Sequence, residues 1–540
     1  MNLKRNEFIH GGAILLLCLL LFMAGLGARD IWDIDEGMHA AIAQTMVNSG
    51  DWVTPRFNSE PFFDKPVLFN WLNAAAFVLL GASGFAARLT AAAAGLGAVF
   101  LTYLFGRRIY AAKTGLLAAV ILATSLEVIA LSRVVQYDML FTFFTTLALY
   151  CFGFAVIEDR RQKIYFAGFY AAVALAVLTK GPLGLLIPAL VIGGYLTMER
   201  RLSFLKEMQI PMGVLICSAI AAPWYLMMEQ ANPGYLDYFI FKQHFGNFLG
   251  GEGVLAPRHP EPFFYYLPVL LGGMLPWSLM LPQALAKAMR KDRDAGRGLS
   301  RYLVVWVFAV FVFFSLATSK LSTYILPLIP AAALLLGRYW HGILDSPGAR
   351  PGRGTLPGVA AMFVLLAIVT LYATIENPWT YWNYRSGVRW ADFELFMVLL
   401  SALFGLASLF LWTRRNVAGF VTLSAISPFV IFYILLVIAP GADPYKGARE
   451  IGMELADALP PGEAFRFHGQ LLDSAMFYTD RNAVMLNTEE ELNQYLSSGE
   501  RVFVLLRTRA RTREESFAGD YHVIKITGNK AIVSNRPGPL

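Results

Sequence analysis

Charge is scarce in this sequence. Of 540 residues, 15% are Asp, Glu, Lys or Arg, against about a quarter in a soluble globular domain. Cysteine is nearly absent. Cys18, Cys151 and Cys217 lie far apart inside apolar runs, which excludes a disulfide framework and a thiolate metal site. No glycine-rich phosphate loop is present, so a cytosolic nucleotide cofactor is not indicated. The apolar run behind Lys4 and Arg5 lacks a small-residue cleavage site followed by a soluble domain. It reads as a retained signal anchor.

What the chain has instead is hydrophobic length. Residues of the AVILMFWYC set make up 56%, and apolar runs long enough to cross a bilayer core of about 30 Å recur from residue 8 to residue 438. They are continuous rather than alternating, which argues for helices and against a β-barrel. The expected class is an α-helical polytopic membrane protein. Thirteen transmembrane helices are expected near 8–28, 86–106, 113–131, 138–157, 163–179, 181–198, 209–228, 263–286, 302–318, 322–340, 356–376, 393–413 and 417–438. The run 66–82 carries Asn70 and Asn73 and is read as an interfacial helix.

Basic residues orient these spans. With the N-terminus in the cytoplasm, the inner segments hold 22 Lys and Arg and the outer segments up to residue 440 hold 11, as the positive-inside rule asks. Counting 66–82 as a span would break that pattern. The net charge of +7 is thereby assigned to cytoplasmic loops and anionic lipid, not to nucleic acid. An odd number of spans puts the tail outside. Two domains are expected: 1–440 in the membrane, with an outer loop at 29–85, and a small soluble periplasmic α/β domain at 441–540. In that tail, helices are expected at 446–458 and 489–497. Strands are expected near 464–468, 483–487 and 502–507, with a hairpin joining 522–526 to 531–535. The run Arg507, Arg509, Arg511, Arg513 reads as a solvated face.

Charges that apolar helices should exclude mark function in a membrane protein. Here they gather on the outer side: Asp35, Glu36, Asp64, Lys65, Arg133, Asp138, Lys180, His244, Arg258 and Lys320, with Glu127 near an outer helix end. Each has a plain alternative. Asp33 and Glu36 fit a capping box, which leaves Asp35 as the carboxylate without a structural task. Asp138 fits a helix N-cap, Asp64-Lys65 a surface ion pair, Lys180 and Lys320 snorkelling anchors, and His244 an interfacial amphipath. Their concentration on one face favours an outer-face active site.

The ordered set Asp35-Glu36, Asp64-Lys65-Pro66, Asp138, Thr179-Lys180-Gly181, His244, Tyr265-Tyr266, Pro276-Trp277 and Ser319-Lys320-Leu321-Ser322-Thr323-Tyr324 resembles the bacterial aminoarabinose transferases that modify lipid A. More broadly it resembles the protein-mannosyltransferase-like GT-C glycosyltransferases. The resemblance covers most of residues 8–340. It implies a GT-C fold in the bacterial inner membrane and an undecaprenyl-phosphate-linked sugar as donor. It also implies a periplasmic acceptor, 4-amino-4-deoxy-L-arabinose passing to a lipid A phosphate. Asp35 then matches the catalytic-loop acid, with Asp138 as a second catalytic candidate. Lys65 matches the donor-phosphate lysine, with Arg258, Lys320 and Tyr324 beside the phosphate and Glu36 and Lys180 as further candidates. Asp64 and His244 match positions that bind a divalent metal, zinc in the aminoarabinose transferases. Asp64 replaces a common glutamate, Asn247 a common arginine, and Ser322 a common proline.

The chemistry implied is cleavage at the sugar C1, with charge developing on the departing phosphate. Outer-face cations would stabilise that charge at low dielectric. A hydroxyl acceptor would need Asp35 as base, whereas a phosphate acceptor would not. Rival readings are transfer to another glycan, lipid or protein, a lipid transporter or flippase, and an assembly scaffold. Transporters usually carry their polar residues at the midplane in paired repeats, and no such halves are visible.

Overall fold

The structure is a computed structural model that describes residues 2–246, 260–289, 299–346, 355–376, 390–460, 462–507 and 521–539. The apolar runs form helices because hydrocarbon offers backbone groups no partner outside their own segment. The helices that build the site are α1 (Asn2–Cys18), α2 (Asp35–Ser49), α3 (Leu68–Leu80), α4 (Gly84–Ile109), α5 (Ala112–Ala123), α6 (Leu126–Leu131), α7 (Asp138–Ile157) and α8 (Gln162–Lys180). Each of the thirteen expected segments is helical where described. Among the described residues seven helices are long and apolar enough to cross a membrane, or eight if one bent pair is a single span. The count of thirteen thus goes beyond what helix length and composition establish.

Three expected spans depart from straight helices. The run 113–131 breaks between α5 and α6, where Thr124 and Ser125 turn their hydroxyls back onto the Val120 and Ile121 carbonyls. The run 263–286 bends by 109° between Phe263–Gly273 and Trp277–Met289, at Pro276, which has no N–H to continue the ladder. The run 322–340 opens as a 3-10 turn, Ser322–Leu328, containing Pro327, before the helix Ile329–Leu344. The first and third of these breaks lie toward the ends expected to face outward, and the second falls mid-span. The run 66–82 is helical as α3 and packs against α2 and α4.

Ion pairs join segments expected on the inner side. Arg108 pairs with Glu158 and Lys113 with Asp345. Arg301 pairs with Glu199 at 3.0 Å. Segments hundreds of residues apart thus meet at one end of the bundle.

The tail folds on a five-stranded sheet. After the short hairpin β1 (Arg56–Phe57) and β2 (Glu60–Pro61) of the outer loop, its strands are β3 (Phe465–His468), β4 (Ala483–Leu486), β5 (Phe503–Arg507), β6 (His522–Thr527) and β7 (Lys530–Ser534). Their order is β4-β3-β5-β7-β6. β3 lies parallel to β4 and β5, and β7 antiparallel to β5 and β6. Expected strands and hairpin agree with this sheet. The helix Asp473–Thr479 was not foreseen, and the last apolar helical stretch runs on to Lys446. Arg509, Arg511 and Arg513 lie outside the described residues.

This sheet domain is fastened to the first loop. Asp33 Oδ1 accepts from the Ser474 amide at 2.7 Å. Trp32 Nε1 donates to Asp443 at 2.6 Å, and the Ile31 amide to the Tyr478 hydroxyl at 2.8 Å. Asn58 exchanges two hydrogen bonds with the Ala483 backbone. At Gly37 a Cβ would stand 2.4 Å from the Ser474 nitrogen, so only glycine lets α2 meet the helix Asp473–Thr479 this closely. Loop and tail therefore occupy the same side.

Candidate functional site

The capping-box expectation is corrected first. The residue capping α2 is Ile34, with no side-chain cap, and Gly50 closes the helix in a left-handed conformation. Asp33 instead caps the start of Asp473–Thr479 in the tail. Glu36 is drawn inward. Its Oε1 accepts from Arg88 Nε at 2.8 Å and the Val135 amide at 3.1 Å. Its Oε2 accepts from Arg88 Nη2 at 3.0 Å, the Trp32 amide at 3.1 Å and Arg29 at 2.9 Å. Burial raises the Glu36 carboxyl, but Arg88 and Arg29 outweigh burial and the net shift is downward. Arg88 spends its remaining donors on the Leu26, Arg29 and Asp30 carbonyls. Among the candidates Glu36 is thus a structural anchor.

Beside this anchor lies a second ionic group, centred on Tyr137. The ring of Tyr137 has Lys65 Nζ at 5.4 Å and Lys180 Nζ at 5.3 Å from its centroid, within cation–π range. Lys180 ion-pairs Asp138, and Nζ also lies 4.3 Å from the centroid of Tyr324. Asp138 is 1% exposed and Lys180 3% exposed, yet Asp138 Oδ2 has no hydrogen-bond partner. Burial, then Asp138, Tyr324, Asp35 and Asp64, push the Tyr137 hydroxyl well above its ordinary value. It stays protonated and able to donate. The same list of neighbours shows that Asp35 and Asp64 lie within electrostatic reach of this ring.

The members come from four places, Tyr324 from the turn Ser322–Leu328. Asp35 opens α2 on the exposed side of the helix. Asp64 and Lys65, both half-buried, end the first loop, where Lys65 Nζ also donates to the Asp64 carbonyl at 3.1 Å. Asp138 and Lys180 stand at the ends of α7 and α8, which pack on each other. Six sequence candidates, Asp35, Asp64, Lys65, Asp138, Lys180 and Tyr324, are therefore brought together. Lys320 is not placed as a phosphate ligand: it is 4% exposed and donates to the Glu261 carbonyl at 2.8 Å and the Ala317 carbonyl at 2.5 Å. There it fastens the Pro260–Ser319 bridge. Arg258 lies outside the described residues, as does the side chain of His244, whose backbone belongs to the π-helix Tyr238–Gly246.

Two members were not foreseen. Tyr137 was visible only as a neighbour of Asp138. His39, on α2, is 2% exposed, with edge contacts to Phe62, Phe69 and Tyr137 at 5.5–6.2 Å between ring centroids. Burial and then Lys65 lower it to about 4, so it is neutral near pH 7, and its Nδ1 has no partner. Its place three residues after Glu36, on the face that turns inward, was the available signal.

Among the described residues no group of three or more His, Cys, Asp or Glu side chains stands together as a metal site. A carboxylate with an imidazole is nevertheless a donor pair that suits zinc, and Asp64 stands at the site to supply the carboxylate.

Arranged this way, the site offers two ammonium groups, an aromatic platform and several carboxylates at one end of an apolar bundle. Such a set can hold a phosphate, orient a polar sugar and spread developing charge. The sequence pattern of the family described as dolichyl-phosphate-mannose-protein mannosyltransferase matches residues 64–226. The fold is shared with the crystal structure of ArnT from Cupriavidus metallidurans bound to undecaprenyl phosphate, at a TM-score of 0.79 and 22% identity over 98% of this chain and 99% of that one. The undecaprenyl phosphate-alpha-4-amino-4-deoxy-L-arabinose arabinosyl transferase 1 of Pseudomonas fluorescens (strain Pf0-1) is 31% identical over 369 residues, covering 67% of this chain and 63% of that protein. The chain thus matches just under two thirds of that relative's length. The corresponding transferase of Aeromonas salmonicida (strain A449) is 31% identical over 427 residues, 78% of this chain and 75% of its own. On that extent of likeness the chain is a multi-pass membrane protein that belongs to the family of undecaprenyl phosphate-alpha-4-amino-4-deoxy-L-arabinose arabinosyl transferases.

Proposed function

We propose that the chain moves 4-amino-4-deoxy-L-arabinose from undecaprenyl phosphate to a phosphate of lipid A, on the periplasmic side of a bacterial inner membrane. The N-terminus then lies in the cytoplasm and the tail domain in the periplasm. The observation that carries this reading is the pair of ammonium groups, Lys65 and Lys180, on either approach to Tyr137. One cation, an ammonium paired with a carboxylate and a phenol donor, next to carboxylates that orient a sugar, suit a phosphate leaving group.

In this reading Lys65 holds the donor phosphate and meets the charge that grows on it as the C1–O bond breaks. Half-buried at the loop's end, it places its Nζ beside the Tyr137 ring. Lys180 is neutralised by Asp138, so the pair acts as an oriented dipole, and the open Asp138 Oδ2 accepts from a sugar hydroxyl or amine. Tyr324 and Tyr137 wall the phosphate from the apolar bundle. Asp35, exposed and adjacent, positions the acceptor and stabilises positive charge on the sugar ring. A lipid A phosphate is already ionised, so no proton needs removing before it attacks C1. Zinc, held by Asp64 and His244, would add positive charge beside the departing phosphate.

Mass spectrometry of lipid A from cells with and without the intact chain tests the proposal. A pentosamine increment that requires the chain, and disappears with Asp35→Asn at equal membrane level, is the expected result. An unchanged lipid A profile would overturn the acceptor, and retained transfer in Asp35→Asn would remove Asp35 from the chemistry.

A further inference from the structure

Where the tail domain meets the membrane bundle there is a cavity of about 400 Å³. None of the residues grouped around Tyr137 lines it. Its walls come from the first loop, α2, the α3–α4 turn and two tail helices, and they include Arg29, Arg449 and Gln44 but no acid. Arg29 is held in place by Glu36. Arg449, in the helix Arg449–Ala458, is about half exposed and reaches Asp30 only at 4.0 Å. The Gln44 amide oxygen is buried without a partner.

The approach to this cavity is apolar. Val78, Leu79 and Leu80 at the end of α3 are 61%, 80% and 54% exposed, and Phe85, at the start of the membrane helix α4, is 40% exposed. Phe85 itself lines the cavity. Large apolar side chains exposed together on an interfacial helix and at the start of a membrane helix face lipid rather than water. Two guanidinium groups therefore sit at headgroup depth above a hydrocarbon-facing ridge. Guanidinium is the side chain best matched to phosphate oxygens.

We infer that this cavity binds the headgroup of an anionic glycerophospholipid of the surrounding bilayer, a phosphodiester carrying a free hydroxyl. Arg29 and Arg449 take the phosphodiester oxygens, Gln44 Oε1 accepts from the headgroup hydroxyl, and the acyl chains run down past Phe85 and Leu80. The lipid would clasp the tail domain to the bundle, because its walls belong to both. The inference does not depend on which sugar or acceptor the transfer site uses.

The test uses the full chain, delipidated in detergent micelles and followed by native mass spectrometry. Phosphatidylglycerol should give a saturable one-to-one adduct that phosphatidylcholine and glycerol 3-phosphate do not give at the same concentration. Arg449→Ala should weaken retention roughly tenfold, the scale of one charge-assisted hydrogen bond, and Arg449→Lys should restore part of it. Ala82→Trp, on the exposed turn at the cavity wall, should block the adduct without touching either arginine. Equal retention of phosphatidylcholine, equal competition by glycerol 3-phosphate, or unchanged affinity in both Arg449→Ala and Ala82→Trp would each overturn the assignment.

Discussion

Two buried ionic groups stand side by side at one end of the bundle, each a carboxylate met by a cation, and they are finished differently. Around Glu36 every carboxylate oxygen is saturated and every Arg88 nitrogen donates. Around Asp138 one oxygen meets Lys180 and the other meets nothing. An unsatisfied buried acceptor costs about 1–3 kcal/mol, and the open oxygen of the second group suits the ligand contact proposed for it. Burial and charge do not distinguish Glu36 from Asp138; the hydrogen-bond accounting of the two carboxylates does.

The sharpest way to break this comparison is to open the closed group. Glu36→Ala strands Arg88 in a buried setting, and loss of one partner of such a pair costs about 3–5 kcal/mol. The expected result is loss of folded protein from the membrane, read by detergent-resistant fluorescence size exclusion. If Glu36→Ala instead folds normally and loses only activity, Glu36 belongs with the site.

The complementary change empties the open group. Lys65→Ala should leave the melting temperature within the scatter of the wild type. Its transfer rate should fall by about 10²–10³, the range for removing one preorganised stabiliser of developing charge. Single-turnover transfer from a purified donor measures this. A melting temperature that falls as far as in Glu36→Ala would place Lys65 in the scaffold.

Much of this contrast was out of reach of sequence. Continuous apolar runs are properties of single segments, so the helical class was legible, as was the tail's sheet with its Gly528-Asn529 turn. Asp64-Lys65, Asp138 and Lys180 were legible as charges where charges are expensive. What decides between anchor and site is pairing across 50 residues or more. Glu36 looked like a local cap because its partner Arg88 lies on another helix, and Asp33 because its partner Ser474 lies in the tail; Lys320 looked like a phosphate ligand because its contact with the Glu261 carbonyl spans 59 residues. Tyr137 and His39 were missed for a related reason: aromatic rings are common in this chain, and only packing shows which of them two lysines approach.

The contact between loop and tail offers a third, smaller lever. Gly37→Ala drives a Cβ into the Ser474 and Asp473 backbone, at 2.4 and 2.7 Å, and backbone cannot rotate away. Overpacking of this kind costs about 1–3 kcal/mol. The tail helix Asp473–Thr479 should then exchange its amide hydrogens faster while the Arg88–Glu36 region keeps its protection. Equal loss of protection in both would mean that the tail and the anchor unfold as one unit.

The mildest perturbation of the same contact is pH. Burial, and then the nearby Asp33 and Asp35 carboxylates, push Asp473 up to about 7, while burial brings Lys530 down to about 8. A carboxyl with a raised pKa in the packed state holds a proton there that it gives up when released. Packing is therefore favoured below the ordinary carboxyl range, and this contribution is lost as pH rises from about 4 through about 7. A lysine with a lowered pKa works in the other direction. Its full penalty is present below about 8, and packing recovers as pH climbs from there toward the ordinary lysine value. One proton limits each limb to about 1.4 kcal/mol per pH unit. Protection of the helix Asp473–Thr479, measured across pH 4–10 with correction for intrinsic exchange, should fall to a minimum between about pH 7 and 8. Asp473→Asn should flatten the acid limb and leave the alkaline one, because an amide cannot titrate while Lys530 still reaches the Pro444 and Gly447 carbonyls at 2.7 Å. An acid limb that survives Asp473→Asn would transfer the titration to Asp33, whose carboxyl burial also raises.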